Sequence, residues 1–596
     1  MINRLKKALV SIWPFYLFCI LAIFLVLPQI NRHSIILGVD SIFHFNRFYD
    51  TMMQLKTGNF NYFLMNFGFG QTGRIINALY GPLFAYIQGF LLLVSKSWFK
   101  YQVLSDITLS LVSSFTMYAL CKKSGLSKSL SCILGMFYST SSVVAVWSVS
   151  TQFTGWGAAF FPLIILGGLV FLEKDPDFKS FVILGASLAI LVQVHVLSSL
   201  IGVLTLIPFF IIGIFHSQRK LRLLSGTLFS VFLFICLSSN VWGPLISIKI
   251  NNNIVETWPN TFMSDFTSMV GITGPFASDI GGSPTYGVIF SLIIISQTII
   301  SFSNWQKISI LNKTVTITML IFLVLGSQII PWTALGTHLP ILRSIIQFPR
   351  RFCVVPITTS LLILGLNIKE LQLHLKIVRL PLITLLVFSA CFIFTEIDNH
   401  SQVWFTNNLS SWSQHLVFNK NRSQVRDAFY SADLQQGLKA VRKTSLLDYY
   451  PTSQKISSNT EKILALYAPN NEMLTKDNSA FKKEINSNGN LVLKQNTNVT
   501  KETRLPVVMY ANTFLKVNNK TFYSRKNLKT NSIMQPTIKL DKGLNKIEVG
   551  YKTPKFIPLL FLISLIAWVT TFLYVLLSMV SSFKPKRGKH SVPKSS

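Results

Sequence analysis

Apolar runs of about twenty residues recur along this chain, parted by short polar connections. As a helix, a run of that length crosses the hydrocarbon core of a bilayer. The pattern predicts spans near 10–30, 103–120, 130–147, 157–172, 180–195, 197–215, 222–240, 286–302, 313–330, 351–366, 378–395 and 556–582. One further apolar stretch, LYGPLFAYIQGFLLLV at 79–94, is short and carries Gly81, Pro82 and Gly89. Counting it as a crossing would turn the basic CKKSGLSK (121–128) outward. It is therefore expected to lie along, or dip into, the outer leaflet, where irregular backbone needs cover from protein or a wet cavity.

Three polar regions, 31–78, 241–285 and 397–555, then fall outside. The last is rich in Asn, Ser, Thr and Lys and is domain-sized. Within it NLVLKQ, RLPVVMYANTFLKV, TFYSRK and GLNKIEVGYK alternate polar with apolar or β-branched residues, the mark of strands. Residues 422–448 read as more helical. The expected architecture is an all-α polytopic bundle of about twelve transmembrane helices over 1–396. An extracellular α+β or β-sandwich domain would follow over 397–555, then a final transmembrane helix and a basic cytoplasmic tail over 556–596.

Composition agrees with a membrane protein. Of 596 residues 50% are hydrophobic and only 13% charged, and mean hydropathy is +0.47; soluble domains carry about a quarter charged residues. The net charge of +33 suggests nucleic acid until its distribution is read. Lys and Arg gather in NRLKK (3–7), CKKSGLSK, HSQRKLR (216–222) and KPKRGKH (584–590), as cytoplasmic connections do. Both termini are thus expected inside, with no nucleic-acid partner. The six cysteines all avoid 397–555, so no disulfide framework supports that region. The basic N-terminus and its long apolar run, with no small-residue cleavage site, read as an uncleaved first span.

Candidate chemistry begins at GVDSIFHFNRF, 38–48. On a helix at 100° per residue Asp40, His44, Arg47, Thr51 and Gln54 share one arc, with Asp50 at its edge. Ile42, Phe45, Phe48, Tyr49, Met52 and Met53 cover the opposite face. Such a helix suits the outer membrane surface, apolar side in lipid or protein, polar side toward a cavity. Asp40 equally suits a plain helix cap. Arg350 and Arg351 break the charge rule at the outer end of a span and read either as interface anchors or as an anion clamp. Loop acids Glu256, Asp265 and Asp279 suit a lid over an acceptor, or ordinary solvated positions. One of them with Asp40 could hold a divalent cation such as Mg or Mn. His195, in QVHVLSS at the outer end of a span, is an intramembrane ionisable group that Ser198 and Ser199 could satisfy.

GVDSIFHFNRF, Gly58, the Tyr80-Gly81-Pro82 turn, IIQFPRRF (345–352) and GLNKIEVGYKTPKF (543–556) together resemble a bacterial membrane-protein family. It is the 6-pyruvoyl-tetrahydropterin synthase-related, YfhO-like family; Arg350 stands where that family more often has Trp. Pterin chemistry would need clustered zinc-binding histidines, and those here are dispersed. The resemblance instead implies a GT-C glycosyltransferase, in the bacterial cytoplasmic membrane, using a polyprenyl-phosphate sugar and a cell-envelope polymer or lipid as acceptor. It further implies that Asp40 matches the catalytic acid of the first outer loop. Apolar walls around that carboxylate would make it a stronger base. His44 would orient it or bind phosphate, and Arg47, with its planar fork, would hold phosphate oxygens. A transporter or flippase of a lipid-linked precursor, and a non-catalytic envelope scaffold, are the competing readings. Neither a P-loop nor a Rossmann glycine pattern occurs, which agrees with a lipid-linked donor.

Overall fold

The computed structural model describes residues 12–255, 276, 284–410, 416–443, 447–456, 460–518, 520–522 and 528–582. Helices occupy every apolar run the sequence marks. Among the described residues eight are long and apolar enough to cross a membrane: Trp13–Arg32, Trp98–Lys123, Thr154–Leu172, Val196–His216, Lys220–Leu237, Pro349–Glu370, Ile377–Val403 and Phe556–Ser578. The 130–147 run is broken instead into Lys128–Ser139 and Ser142–Ser150, bent by 41°. At the break Thr140 Oγ1 and Ser141 Oγ donate to the carbonyls of Phe137 and Tyr138 at 2.9 and 2.6 Å. Side-chain hydroxyls thus serve the last turn of the first helix in place of a continuing backbone. Phe178–Val194, Gly287–Ser303 and Ile310–Leu325 are apolar but shorter. The result is a helical, membrane-type bundle with a strand-rich C-terminal region.

The 79–94 stretch folds as the helix Pro82–Ser95, opened by Gly81 in the left-handed region and by proline at its first turn. Phe84, Ala85, Gln88 and Leu92 are buried, while Leu83, Ile87, Phe90 and Val94 form an exposed apolar stripe.

Two antiparallel sheets form the C-terminal body. One runs Lys520–Phe522, Thr513–Val517, Gly543–Tyr551, Leu491–Thr497, Lys482–Ile485; the other Lys529–Thr530, Pro536–Leu540, Lys501–Arg504. The period-2 alternation of the sequence is read out directly. Leu515 pairs with Val549, Val517 with Ile547, and Leu493 with Ile547, lining one face of a core that also takes Ile538 and Leu540 from the other sheet.

The rest of 397–555 packs elsewhere. The helices Arg422–Tyr430 and Gln435–Ala440, and the strand Val441–Lys443, send Phe429, Ala440 and Val441 into the bundle's own core beside Phe45 and Trp98. A third cluster joins Phe63, Leu64 and Ile75 of the 59–81 loop to Tyr450, Val508 and Tyr510. The polar region is therefore a sheet body plus a cap fused to the mouth of the bundle.

Candidate functional site

The Ser41–Thr57 helix forms the floor of this mouth, and it is buried all round. Phe45 stacks on Trp98 with ring centroids 4.5 Å apart, and Phe48, Tyr49 and Met52 are equally enclosed by protein. The polar arc, expected to face a cavity, mostly holds the 59–81 loop instead. Asp50 Oδ1 accepts from the backbone N–H groups of Phe67 (2.7 Å) and Gly68 (3.1 Å), and Oδ2 accepts from Gln54 Nε2 at 2.7 Å. Asn46 Oδ1 accepts from Phe69 N–H at 2.7 Å. Burial outweighs these donors and pushes the Asp50 carboxyl up to about 6.

Arg47 is fully buried, and protein occupies each nitrogen of its fork. Nε donates to Asn77 Oδ1 at 2.9 Å, Nη1 to His44 Nδ1 at 3.2 Å, and Nη2 to the Tyr80 carbonyl. Its plane also lies 4.5 Å from the Tyr80 ring centroid. Where the resemblance implied a hold on phosphate oxygens, Arg47 fastens the Tyr80-Gly81-Pro82 turn to the helix. Because an arginine only donates, His44 Nδ1 accepts, so the neutral ring carries its proton on Nε2. His44 stacks on Phe153 at 4.8 Å; burial first, then Arg47, hold its pKa well below the ordinary histidine value. Among the described residues no hydrogen bond joins it to the Asp40 carboxylate, which it was expected to orient unless it bound phosphate.

Asp40 behaves differently. It occupies the N-cap position without making a cap bond, while the neighbouring Ser41 Oγ accepts from the Gly38 N–H at 2.7 Å. Gly38 is required here: a Cβ would stand 2.2 Å from the backbone of Ser150. The Asp40 carboxylate is 39% exposed and lies 3.7 Å from Lys443 Nζ, whose ammonium also donates to the Val39 carbonyl at 2.6 Å. The carboxylate is thus part-exposed beside a cation, where apolar walls were expected to enclose it. Arg351 lies within electrostatic reach of Asp40, Tyr80 and Tyr449, so the QFPRRF segment and the GVDSIF segment, some three hundred residues apart in sequence, converge. Asp448 joins them: burial, with a contribution from Asp40 and against Arg74 and Lys443, pushes its carboxyl up to about 6. Tyr80 and Tyr449 meet edge to face at 6.3 Å.

His195 borders the same cluster, its ring 5.6 Å from Tyr80. Its Nδ1 accepts the Ser198 N–H at 3.3 Å and caps Val196–His216, the structural role that Ser198 offers. Arg350 and Arg351 flank the Phe348 ring at 5.0 and 5.2 Å, and Arg351 Nη1 donates to the Ile346 carbonyl at 3.3 Å. Glu256, Asp265 and Asp279 lie outside the described residues, and with them the proposed shared metal. Lys443, Asp448 and Tyr449 escaped the reading of the sequence; the only signal was the charged and aromatic run around VRKTSLLDYY (441–450). No protein-family model matches the chain, and no curated protein matches it.

Proposed function

We propose that this chain is a membrane glycosyltransferase of the GT-C kind, with about twelve membrane-crossing helices and both termini inside. It transfers a sugar from a polyprenyl-phosphate donor to a cell-envelope acceptor at the outer face of the bacterial cytoplasmic membrane. One observation carries the reading: a part-exposed carboxylate, Asp40, that makes no cap bond, lies 3.7 Å from the Lys443 ammonium and is within electrostatic reach of Arg351. The acceptor hydroxyl gives its proton to Asp40 while its oxygen bonds to the anomeric carbon. The bond from that carbon to the phosphate oxygen breaks, and its electron pair leaves on the phosphate. Lys443 and Arg351 stabilise that departing charge, which is the task preorganised cations perform best away from bulk water. Arg47 and His44, closed off from ligand, hold the floor rigid.

Asp40→Asn is expected to cut transfer on the order of 10²–10⁴-fold, the range for losing a general base, with membrane insertion and thermal stability unchanged. Envelope glycan profiles from cells carrying either form measure it. Unaltered glycans in the Asn variant would remove Asp40 from the chemistry. Lipid movement in reconstituted liposomes without sugar transfer would replace the reading with a flippase.

A further inference from the structure

A cavity of about 210 Å³ opens between the Ser41–Thr57 helix, the 67–74 loop and the Val441–Lys443 strand. That is far more than the roughly 10–15 Å³ one water centre needs. Its wall carries Arg74, Lys439, Arg442 and Lys443, and among the described residues no carboxylate lines it. The nearby acids, Asp448 and Asp40, act on Lys443, and Asp448 also on Arg74.

Arg74 is only 3% exposed. One nitrogen, Nη2, donates to the Asp448 carbonyl at 2.7 Å, and the guanidinium is sandwiched against Tyr450 and Phe69 at 4.2 and 4.7 Å. Yet its Nε has no hydrogen-bond partner among the described residues, and the same holds for Arg442 Nε and for the acceptor Asn478 Oδ1. A buried donor of a charged group left without an acceptor is costly. The Arg74 guanidinium, held between two rings, and the cations Lys439, Arg442 and Lys443 on the same wall suit an anion with several oxygens; the amide side chains of Asn419, Gln435 and Asn478 beside them suit hydroxyl groups.

We propose that this cavity binds a phosphate group carried by a hydroxyl-rich molecule. The inference stands on the cavity alone and does not depend on glycosyl transfer. Through Lys443, however, a phosphate bound there would be a direct neighbour of Asp40.

The test is calorimetric titration of the full chain in phosphatidylcholine nanodiscs with glucose 6-phosphate, inorganic phosphate and glucose, repeated in nanodiscs containing phosphatidylglycerol. Glucose 6-phosphate is expected to bind best, inorganic phosphate more weakly, and glucose not at all. Arg442→Gln, on a partly exposed strand, is expected to weaken binding at least tenfold while the melting temperature holds; Arg74→Gln does the same if it folds. Phosphatidylglycerol that competes away glucose 6-phosphate in the parent chain, and not in Arg442→Gln, identifies a lipid headgroup as the source of the phosphate. Lack of competition identifies a soluble or polymeric source. Absence of phosphate binding in both bilayers, or binding that Arg442→Gln leaves intact, overturns the proposal.

Discussion

At the scale of single residues, one short helix holds charges of opposite purpose. Arg47 and Asp50 are sealed into protein and tie down backbone, whereas Asp40, one turn before His44, keeps an open carboxylate. Nothing local distinguishes them: on a helical wheel all three belong to one polar arc or its edge. The difference comes from the 59–81 loop, which folds over Asp50 and Arg47 and leaves Asp40 uncovered. Burial of Asp50 has a pH signature. Its folded pKa of about 6 lies above the ordinary 3.8, so between those values the folded chain binds the extra proton. Its contribution is therefore most favourable below about pH 4 and is lost as pH rises through 6. Asp50→Asn, which keeps an oxygen for the Phe67 and Gly68 N–H groups, should gain on the parent by up to about 3 kcal/mol between pH 4 and 7. Melting curves across that range measure the gap, and a gap independent of pH would show that Asp50 is not buried as an acid.

At the scale of elements, length and period carried most of the information. Twenty apolar residues have few alternatives to a helix, and alternation such as LNKIEVGY has few alternatives to a strand with one face inward. What neither period conveys is the partner. The Ser41–Thr57 helix resembles an interfacial helix because its apolar face meets aromatic side chains supplied by the 98–101 and 422–441 segments, one of them far along the chain. The Pro82–Ser95 helix depends on a contact equally invisible to periodicity. Gly81 sits at φ 63°, and a Cβ there would lie 2.6 Å from the Val194 carbonyl. Alanine must therefore both adopt a left-handed conformation and displace the backbone next to His195. Gly81→Ala is expected to lower stability by about 1–3 kcal/mol and, by moving Tyr80, to depress the proposed transfer as well. A variant with parental melting temperature would mean that the turn relaxes freely.

At the scale of the whole molecule, the candidate site is an assembly of distant parts: the 38–81 segment, the segment around Arg351 and the cap at 441–450. No short motif contains it, which is why the sequence marked Asp40 and Arg351 as candidates but not their neighbours Lys443 and Asp448. Its geometry then depends on how firmly the sheet body presses on the 59–81 loop. Lys483 is the clearest bond between them. Its ammonium donates to the carbonyls of Gly70 (2.9 Å) and Gln71 (2.7 Å) on the loop and of Pro506 (3.3 Å) on the sheet body. Tyr510 adds a second link, accepting from Ile75 N–H at 3.0 Å and donating to the Tyr449 carbonyl at 2.8 Å. Replacing Lys483 by Met keeps the stem but leaves three carbonyls without their donor. Each such bond, on exposed or part-buried carbonyls, is worth about 0.5–1.5 kcal/mol, yet the sheet core of Leu491, Leu515, Ile547 and Val549 is untouched. Lys483→Met is therefore expected to raise hydrogen exchange selectively over 66–75 and around Tyr449, with protection of the Gly543–Tyr551 strand unchanged. Uniform loss of protection in both regions would make the clamp part of the sheet body's own folding unit, and the mouth of the bundle would then open only when that body unfolds.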